Sequence, residues 1–410
     1  MPLFQARGRL ADNRHSPDGT GAGRARLGRR PRAAVAVALA CLLAAGAAAA
    51  APLRPGRVQA VTGHPAGRPA VLGGRQLASR GVIVNYPAHG RSPKLPAVPA
   101  SAWVVADAGT GQVLAARDPH GLYRPASTLK VLTAIALMPV LSPGRQVVAS
   151  KWAAGTEPSK VGLLAGRRYL VSDLFKALLM ISANDAAVAL AQATGSYAQG
   201  MAIINAEARR LRADDTVAKR PNGLDAPGQH VSAYDEALFA RAALALPQFM
   251  QDEALRTARF PVRPRHWITL HTQNTMLDTF PGDLGGKIGW TTPARATFIG
   301  WARRGQRTLV VSILHATPLT ELNTAAALLN WGFATDGRIV PVGTLVRPLP
   351  AGAGQPPQVT GRHRPQVTGQ PSVAGAIATG LVTFVAALLV GAGTISVARR
   401  RMAGGTRRVR

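Results

Sequence analysis

The chain has 410 residues, 47% of them hydrophobic, and a formal net charge of +30, enough length for one large folded domain with flanking segments. Most of the excess charge lies in basic runs within 1–32, 53–94, 347–372 and 399–410, whereas 95–346 is only modestly basic. Nucleic-acid binding requires basic residues gathered with aromatics on a folded face, so this distribution argues against a nucleic-acid partner.

Residues 1–32 form a basic, cytoplasmic N-region, and 33–51 an uncharged Ala-rich run that ends in Ala-x-Ala triplets before Pro52. This pattern reads as a signal peptide, or as a membrane helix if it is not cleaved. Cys41 inside that run is the sole cysteine, so an exported domain would have to be stable without an intramolecular disulfide. Residues 52–96 are rich in Pro, Gly and Arg and read as a flexible spacer, and 347–372 as a linker of the same kind. Residues 373–398 carry no charge and precede Arg399-Arg400-Arg401, the pattern of a transmembrane helix with a basic cytoplasmic tail at 399–410. The domain at 97–346 is then extracytoplasmic and anchored to the membrane through the C-terminal helix.

Within that domain, strands are expected at 102–106 and 112–117 around the turn Asp107-Ala-Gly-Thr-Gly111. Helices are expected at 127–138, 173–181, 185–193 and 198–211, strands at 297–302 and 308–314, and a helix at 322–329. Strands at both ends with helices between them predict an α+β domain built on a mainly antiparallel sheet.

Three motifs carry chemistry. In Arg124-Pro-Ala-Ser127-Thr-Leu-Lys130, Pro125 at the helix entrance puts Ser127 in the first turn and Lys130 one turn on, on the same face. A serine hydroxyl needs an adjacent base, and lysine serves only when burial or a second cation makes it neutral part of the time. Ser-x-x-Lys alone is a weak signal. Ser182-Ala-Asn184 adds a hydroxyl and a carboxamide between two helices, and Gly285-Gly-Lys287-Ile-Gly289-Trp290-Thr291 adds a cation on a strand edge whose glycines admit a substrate backbone.

In this order and spacing the motifs resemble the active-site serine penicillin-binding proteins and β-lactamases. Together with Pro221-Asn-Gly-Leu224, Ser232-Ala-Tyr-Asp235, Thr272-Gln-Asn274 and Leu328-Leu-Asn-Trp-Gly-Phe333, the chain resembles the D-alanyl-D-alanine carboxypeptidases, the low-molecular-mass branch, over about 97–346. The resemblance implies an antiparallel sheet backed by helices, with a mainly helical second lobe. It implies Ser127 as acylated nucleophile, Lys130 as its base, Ser182 as proton relay and Asn184 as substrate anchor. Lys287 would face the substrate carboxylate, with Gly289, Trp290 and Thr291 beside the substrate and the backbone N–H groups of Ser127 and Trp290 as oxyanion hole. Peptidoglycan stem peptides are the implied substrates and β-lactams the implied covalent inhibitors, with no metal or cofactor required. The nine histidines lack ligand spacing, and His230 and His271 read as structural.

Three departures from the family pattern stand out. Ile288 replaces a threonine hydroxyl, Glu321 stands where many members carry an arginine, and the small β-rich domain that often follows the catalytic one has no counterpart before the linker. The first two would weaken recognition of a terminal carboxylate by a few kcal/mol, at about 1.5–3 kcal/mol per charge-assisted hydrogen bond. Two other classes fit parts of the pattern. One is a class A β-lactamase, against which stands the absence of Glu from 214–235; the other is a catalytically impaired wall-binding or β-lactam-sensing protein, which Ile288 favours.

Overall fold

The computed structural model describes residues 71–350, Gly90 and Asp336 excepted. In chain order the elements are β1 (Val82–Val84), β2 (Ala100–Asp107), β3 (Gln112–Arg117), α1 (Leu129–Leu137), β4 (Gln146–Val148), α2 (Lys151–Ala154), β5 (Arg168–Leu170), α3 (Val171–Met180), α4 (Asn184–Ala193) and α5 (Tyr197–Arg210). They continue with α6 (Ala233–Ala243), α7 (Pro247–Glu253), β6 (Thr257–Arg263), β7 (His266–His271), α8 (Met276–Thr279), β8 (Asp283–Thr291), β9 (Arg295–Arg304), β10 (Arg307–Ala316), α9 (Glu321–Ala334) and β11 (Gly343–Thr344).

Seven strands make one antiparallel sheet in the order β1-β3-β2-β10-β9-β8, with β11 also paired to β3. Short reversals dictate this arrangement. Asp107 Oδ1 accepts the Thr110 N–H at 2.9 Å, and Gly111 takes φ +79° to turn the chain into β3. Side-chain alternation then gives the sheet two apolar faces. Trp103, Val105, Leu309, Val311 and Phe298 point to one side, where Ala325, Leu328 and Leu329 of α9 cover them. Ala102, Val104, Val310, Leu314 and Ile299 point to the other, into the larger core shared with α1 and α6. On that side Trp301 Nε1 donates to Ala240 O at 2.7 Å and Ser312 Oγ to Ala233 O at 2.6 Å, so these two polar groups of the sheet are satisfied by α6. α1 is buried along its whole length because α3, α4, α5 and α6 all pack on it. The expected fold class, an antiparallel sheet backed by helices with further helices beside it, is therefore observed, and β8 ends up as an edge strand.

The domain starts earlier than composition suggested. Of the spacer placed at 52–96, residues 71–96 belong largely to the fold. β1 pairs with β3 through Val82–Arg117 and Val84–Ala115, Leu77 is buried, and Trp331 Nε1 donates to Pro93 O at 3.0 Å. The free edge of β3 supplies the partner that a three-residue strand needs, and Pro and Gly on either side hide so short a strand from periodicity. The expected helices and strands are present with shifted ends, α9 running over Glu321–Ala334 instead of 322–329. α6, α7 and the β6–β7 hairpin had no predicted counterpart.

No helix among the described residues is long and apolar enough to cross a membrane. The segments read as signal and membrane helix, 33–51 and 373–398, lie outside the described residues, as do the basic ends 1–32 and 399–410.

Candidate active site

The turn that carries Ser127, the expected nucleophile, is held in a conformation that its sequence alone disfavours. Ala126 has φ +47° within the short 3-10 turn Ala126–Thr128, directly before α1, and such values cost a non-glycine residue roughly 1–3 kcal/mol. Surrounding contacts fix the turn. A Cβ on Gly223 would stand 1.7 Å from Ala126 O, and one on Gly289 2.6 Å from Ser127 N. Glycine at both positions therefore lets the 221–224 loop and the edge strand β8 close onto the serine from two sides. Ser127 remains half-buried, its hydroxyl at the cleft.

Lys130 lies one turn on, with no solvent exposure. Its Nζ is 2.8 Å from Ser127 Oγ, 3.2 Å from Ser182 Oγ, 2.7 Å from Asn184 Oδ1 and 2.8 Å from Asn222 O. Burial pushes its pKa well below the ordinary lysine value, the Lys287 charge adds to the fall, and Asp185 opposes it. The partners fit a neutral amine. Asn184 Oδ1 and Asn222 O can only accept, so they take its two N–H groups and leave the lone pair for a serine proton. The Asn184 amide is oriented by Nδ2 donating to Glu157 O at 3.0 Å, so its oxygen must face the lysine.

Ser182 also sits at positive φ, +61°, and is buried at the start of the turn into α4. Next to it, the Asp185 carboxylate accepts the N–H groups of Val161, Gly162 and Leu163 at 2.8–3.0 Å. That ties the 155–166 loop to the N-terminus of α4, where a carboxylate is favourable. Asp185 is thus a structural anchor.

Lys287 on β8 is buried as well, with Nζ donating to Ile288 O at 2.7 Å. Burial lowers its pKa to about 8, and the Glu253 carboxylate limits the fall. Glu253, at the end of α7, accepts the Gly286 N–H at 3.0 Å, and burial raises its pKa to about 7 while the Lys287 charge holds it down. Trp290 is 62% exposed at the mouth, and Thr291 Oγ1 accepts the Ala294 N–H at 3.1 Å, so the threonine hydroxyl shapes the β8–β9 turn.

Ser127, Lys130, Ser182 and Asn184 therefore meet around one amine nitrogen, and Gly289 lies against the backbone of Ser127 and Thr128. Sequence reasoning missed Asn222 O, Glu253 and the anchoring by Asp185. The Pro-Asn-Gly motif at 221–223 was the available signal for Asn222. The two departures read differently in three dimensions. Ile288 is partly buried against the apolar cluster on the α9 side of the sheet, and Glu321 occupies the first turn of α9, where its charge favours the helix, with Oε2 buried and unpaired. No group of His, Cys, Asp and Glu suited to a metal ion occurs among the described residues.

A family model described as D-alanyl-D-alanine carboxypeptidase matches residues 89–317. The chain is 40% identical over 248 residues to the D-alanyl-D-alanine carboxypeptidase DacB2 of Mycobacterium tuberculosis, covering 59% of this chain and 85% of that protein. It is 33% identical over 256 residues to DacD of Escherichia coli, covering 59% of this chain and 65% of the relative. Among solved structures, a D-alanyl-D-alanine carboxypeptidase from Mycobacterium tuberculosis matches with TM-score 0.60 and 38% identity, over 64% of this chain and all of that one. Penicillin binding protein 6B from Escherichia coli matches with TM-score 0.55 and 32% identity, over 61% and 81% of the two chains. With the serine, its buried lysine and this match over more than half the sequence, the chain belongs to the D-alanyl-D-alanine carboxypeptidase family of low-molecular-mass penicillin-binding proteins, enzymes of the serine type.

Proposed function

We propose that this chain is a membrane-anchored, extracytoplasmic carboxypeptidase that removes the terminal D-Ala of peptidoglycan stem peptides through an acyl-enzyme on Ser127. Ser127 Oγ attacks the carbonyl carbon of the penultimate D-Ala while its proton passes to Lys130 Nζ. The C–N bond to the terminal D-Ala then breaks, and the departing amine takes a proton from Lys130 by way of Ser182. Water hydrolyses the resulting ester, releasing the shortened peptide and restoring the serine. The backbone N–H groups of Ser127 and Trp290 hold the oxyanion, with Asn184 anchoring the substrate and Lys287 facing its carboxylate. β-Lactams would acylate the same serine.

The observation that carries this reading is the 2.8 Å contact between Ser127 Oγ and a lysine that is fully buried and has only neutral oxygens as hydrogen-bond partners. Its test is covalent labelling of the protein by a fluorescent penicillin, with the adduct located by mass spectrometry. Ser127→Ala should abolish labelling; undiminished labelling of that variant would falsify the assignment.

The anchoring rests on sequence, on the uncharged 373–398 run and the arginines after it. Protease added to intact spheroplasts should remove the catalytic domain and spare a tag at Arg410. Loss of the tag would reverse the orientation.

A further inference from the structure

Behind the nucleophile turn lies a buried acid that the reaction above does not use. Glu236 on α6 has no solvent exposure, and its Oε1 is hydrogen-bonded to Thr128 Oγ1, the residue between Ser127 and Leu129. Thr128 Oγ1 is also 2.6 Å from Pro125 O, and Thr297 Oγ1 of β9 donates to the same carbonyl at 2.9 Å.

Proton counting makes this cluster informative. A threonine hydroxyl has one proton, and Pro125 O can only accept. If Thr128 gave its proton to Glu236, two bare oxygens would face each other at 2.6 Å. The contact to Pro125 O therefore requires Thr128 to donate there and to accept from Glu236, which must then carry a proton. The rest of the pocket agrees. Glu236 Oε2 is buried without a partner, tolerable for the carbonyl oxygen of an acid and expensive for a carboxylate.

Among the described residues no cation compensates it. Asp235 is its neighbour on α6, Lys130 on α1 is committed to the cleft side, and residues turned toward α6 from β2, β9 and β10, such as Val104, Thr297 and Ser312, are uncharged. Burial accordingly pushes the Glu236 pKa well above the usual carboxyl range, with Thr128 opposing and Asp235 adding to the rise.

We propose that Glu236 is a positioning residue for the nucleophile: as the neutral acid it donates to Thr128, which then donates to Pro125 O and locks the turn that presents Ser127. The turn needs such a lock because Ala126 is held at φ +47°, with Gly223 packed so close to the Ala126 carbonyl that a Cβ there would clash. Without the Thr128 hydroxyl the Pro125 carbonyl keeps Thr297 Oγ1 at 2.9 Å and a longer contact from the Thr128 N–H at 3.4 Å, a looser hold that lets the Ser127 hydroxyl and N–H shift. The inference rests on Ser127 being the acylated residue.

The experiment has a spectroscopic and a kinetic arm on the full chain. Infrared difference spectroscopy of native protein minus Glu236→Gln should show loss of a carboxylic-acid C=O band at neutral pH; loss of carboxylate bands instead would overturn the proposal. In the kinetic arm, Glu236→Gln keeps a neutral donor and should be acylated by penicillin within about threefold of native. Glu236→Leu and Thr128→Val should each slow acylation about ten- to a hundredfold, the effect of one lost buried hydrogen bond, with KM for a D-Ala-D-Ala peptide little changed. The double variant should be no slower than the worse single one. A Gln variant as slow as the Leu variant, or Leu and Val variants as fast as native, would refute the positioning role. Thr128→Val decides the matter if Glu236→Leu does not fold. Should native protein not be acylated on Ser127 at all, the nucleophile reading falls, while the infrared arm still decides whether Glu236 holds a proton.

Discussion

Lys130 on α1 and Lys287 on β8 are both buried, and near enough for the charge of one to act on the other, yet they are solvated by protein in different ways. Lys130 is surrounded by four neutral oxygens from the nucleophile turn, the Ser182-Asn184 turn and the 221–224 loop. Such partners carry no net charge, so they stabilise an ammonium ion less than a carboxylate would, and burial with the Lys287 charge prevails. Lys287 Nζ donates a hydrogen bond to Ile288 O and has the Glu253 carboxylate within electrostatic reach. That partner favours the ammonium form, so Lys287 keeps its proton near neutrality and its charge helps to strip the proton from Lys130. Two buried lysines are thus set apart by their neighbours, as the proposed roles of base and fixed cation require.

The largest disruption of this contrast should come from Lys130→Ala. With the base removed, penicillin acylation of Ser127 is expected to fall by about 10²–10⁴, measured as the second-order rate of labelling. A loss below tenfold would mean that another group takes the serine proton.

Glu253→Gln should make the second lysine more like the first. Without the carboxylate the Lys287 pKa drops below about 8, so the high-pH limb of kcat/KM for a free-acid D-Ala-D-Ala peptide should move down by about one pH unit. Stability gives an independent check with a defined sign. Glu253 titrates at about 7 in the folded protein, above its ordinary value of 4.5. The folded state therefore binds more protons between those pH values, and stability falls as pH rises through them. In the Gln variant this part of the fall in the urea midpoint should disappear; an unchanged pH dependence would show that Glu253 does not titrate there.

Ile288→Thr should have the smallest effect. Its side chain packs on the α9 side of the sheet, so an added hydroxyl has to compete with lost apolar contact, and a gain of up to about tenfold in kcat/KM is expected. The substrate should be compared as free acid and as C-terminal amide, with and without Glu321→Arg. Improvement confined to the free acid would place carboxylate recognition at 288, while equal improvement of both would assign Ile288 to cleft shape.

How much of the site could be read in advance depended on the kind of group. Ser127, Lys130, Ser182, Asn184 and Lys287 are side chains in short motifs, and the helical turn between Ser127 and Lys130 brings that pair together by local geometry alone. Asn222 acts through its backbone carbonyl, which every residue has, so the Pro-Asn-Gly motif marks the loop and only its closure shows that the carbonyl meets Lys130. Glu236 and Glu253 lie far along the chain from Thr128 and Lys287. Each resembles an ordinary surface glutamate until the packing of α6 or α7 buries it.

By itself, the sequence determined the β2–β3 hairpin, the one-turn spacing of Ser127 and Lys130 and the order of the three motifs, because each depends on turn preferences, on periodicity over a few residues or on chain order. Only the tertiary structure decided which groups lost water. Lys130, Lys287, Glu236 and Glu253 owe their protonation behaviour to burial and to neighbours brought from distant segments. Residues 71–96 owe their structure to the open edge of β3 and to the flank of α9. Desolvation and edge pairing depend on what surrounds a residue, and those surroundings exist only once the chain has folded.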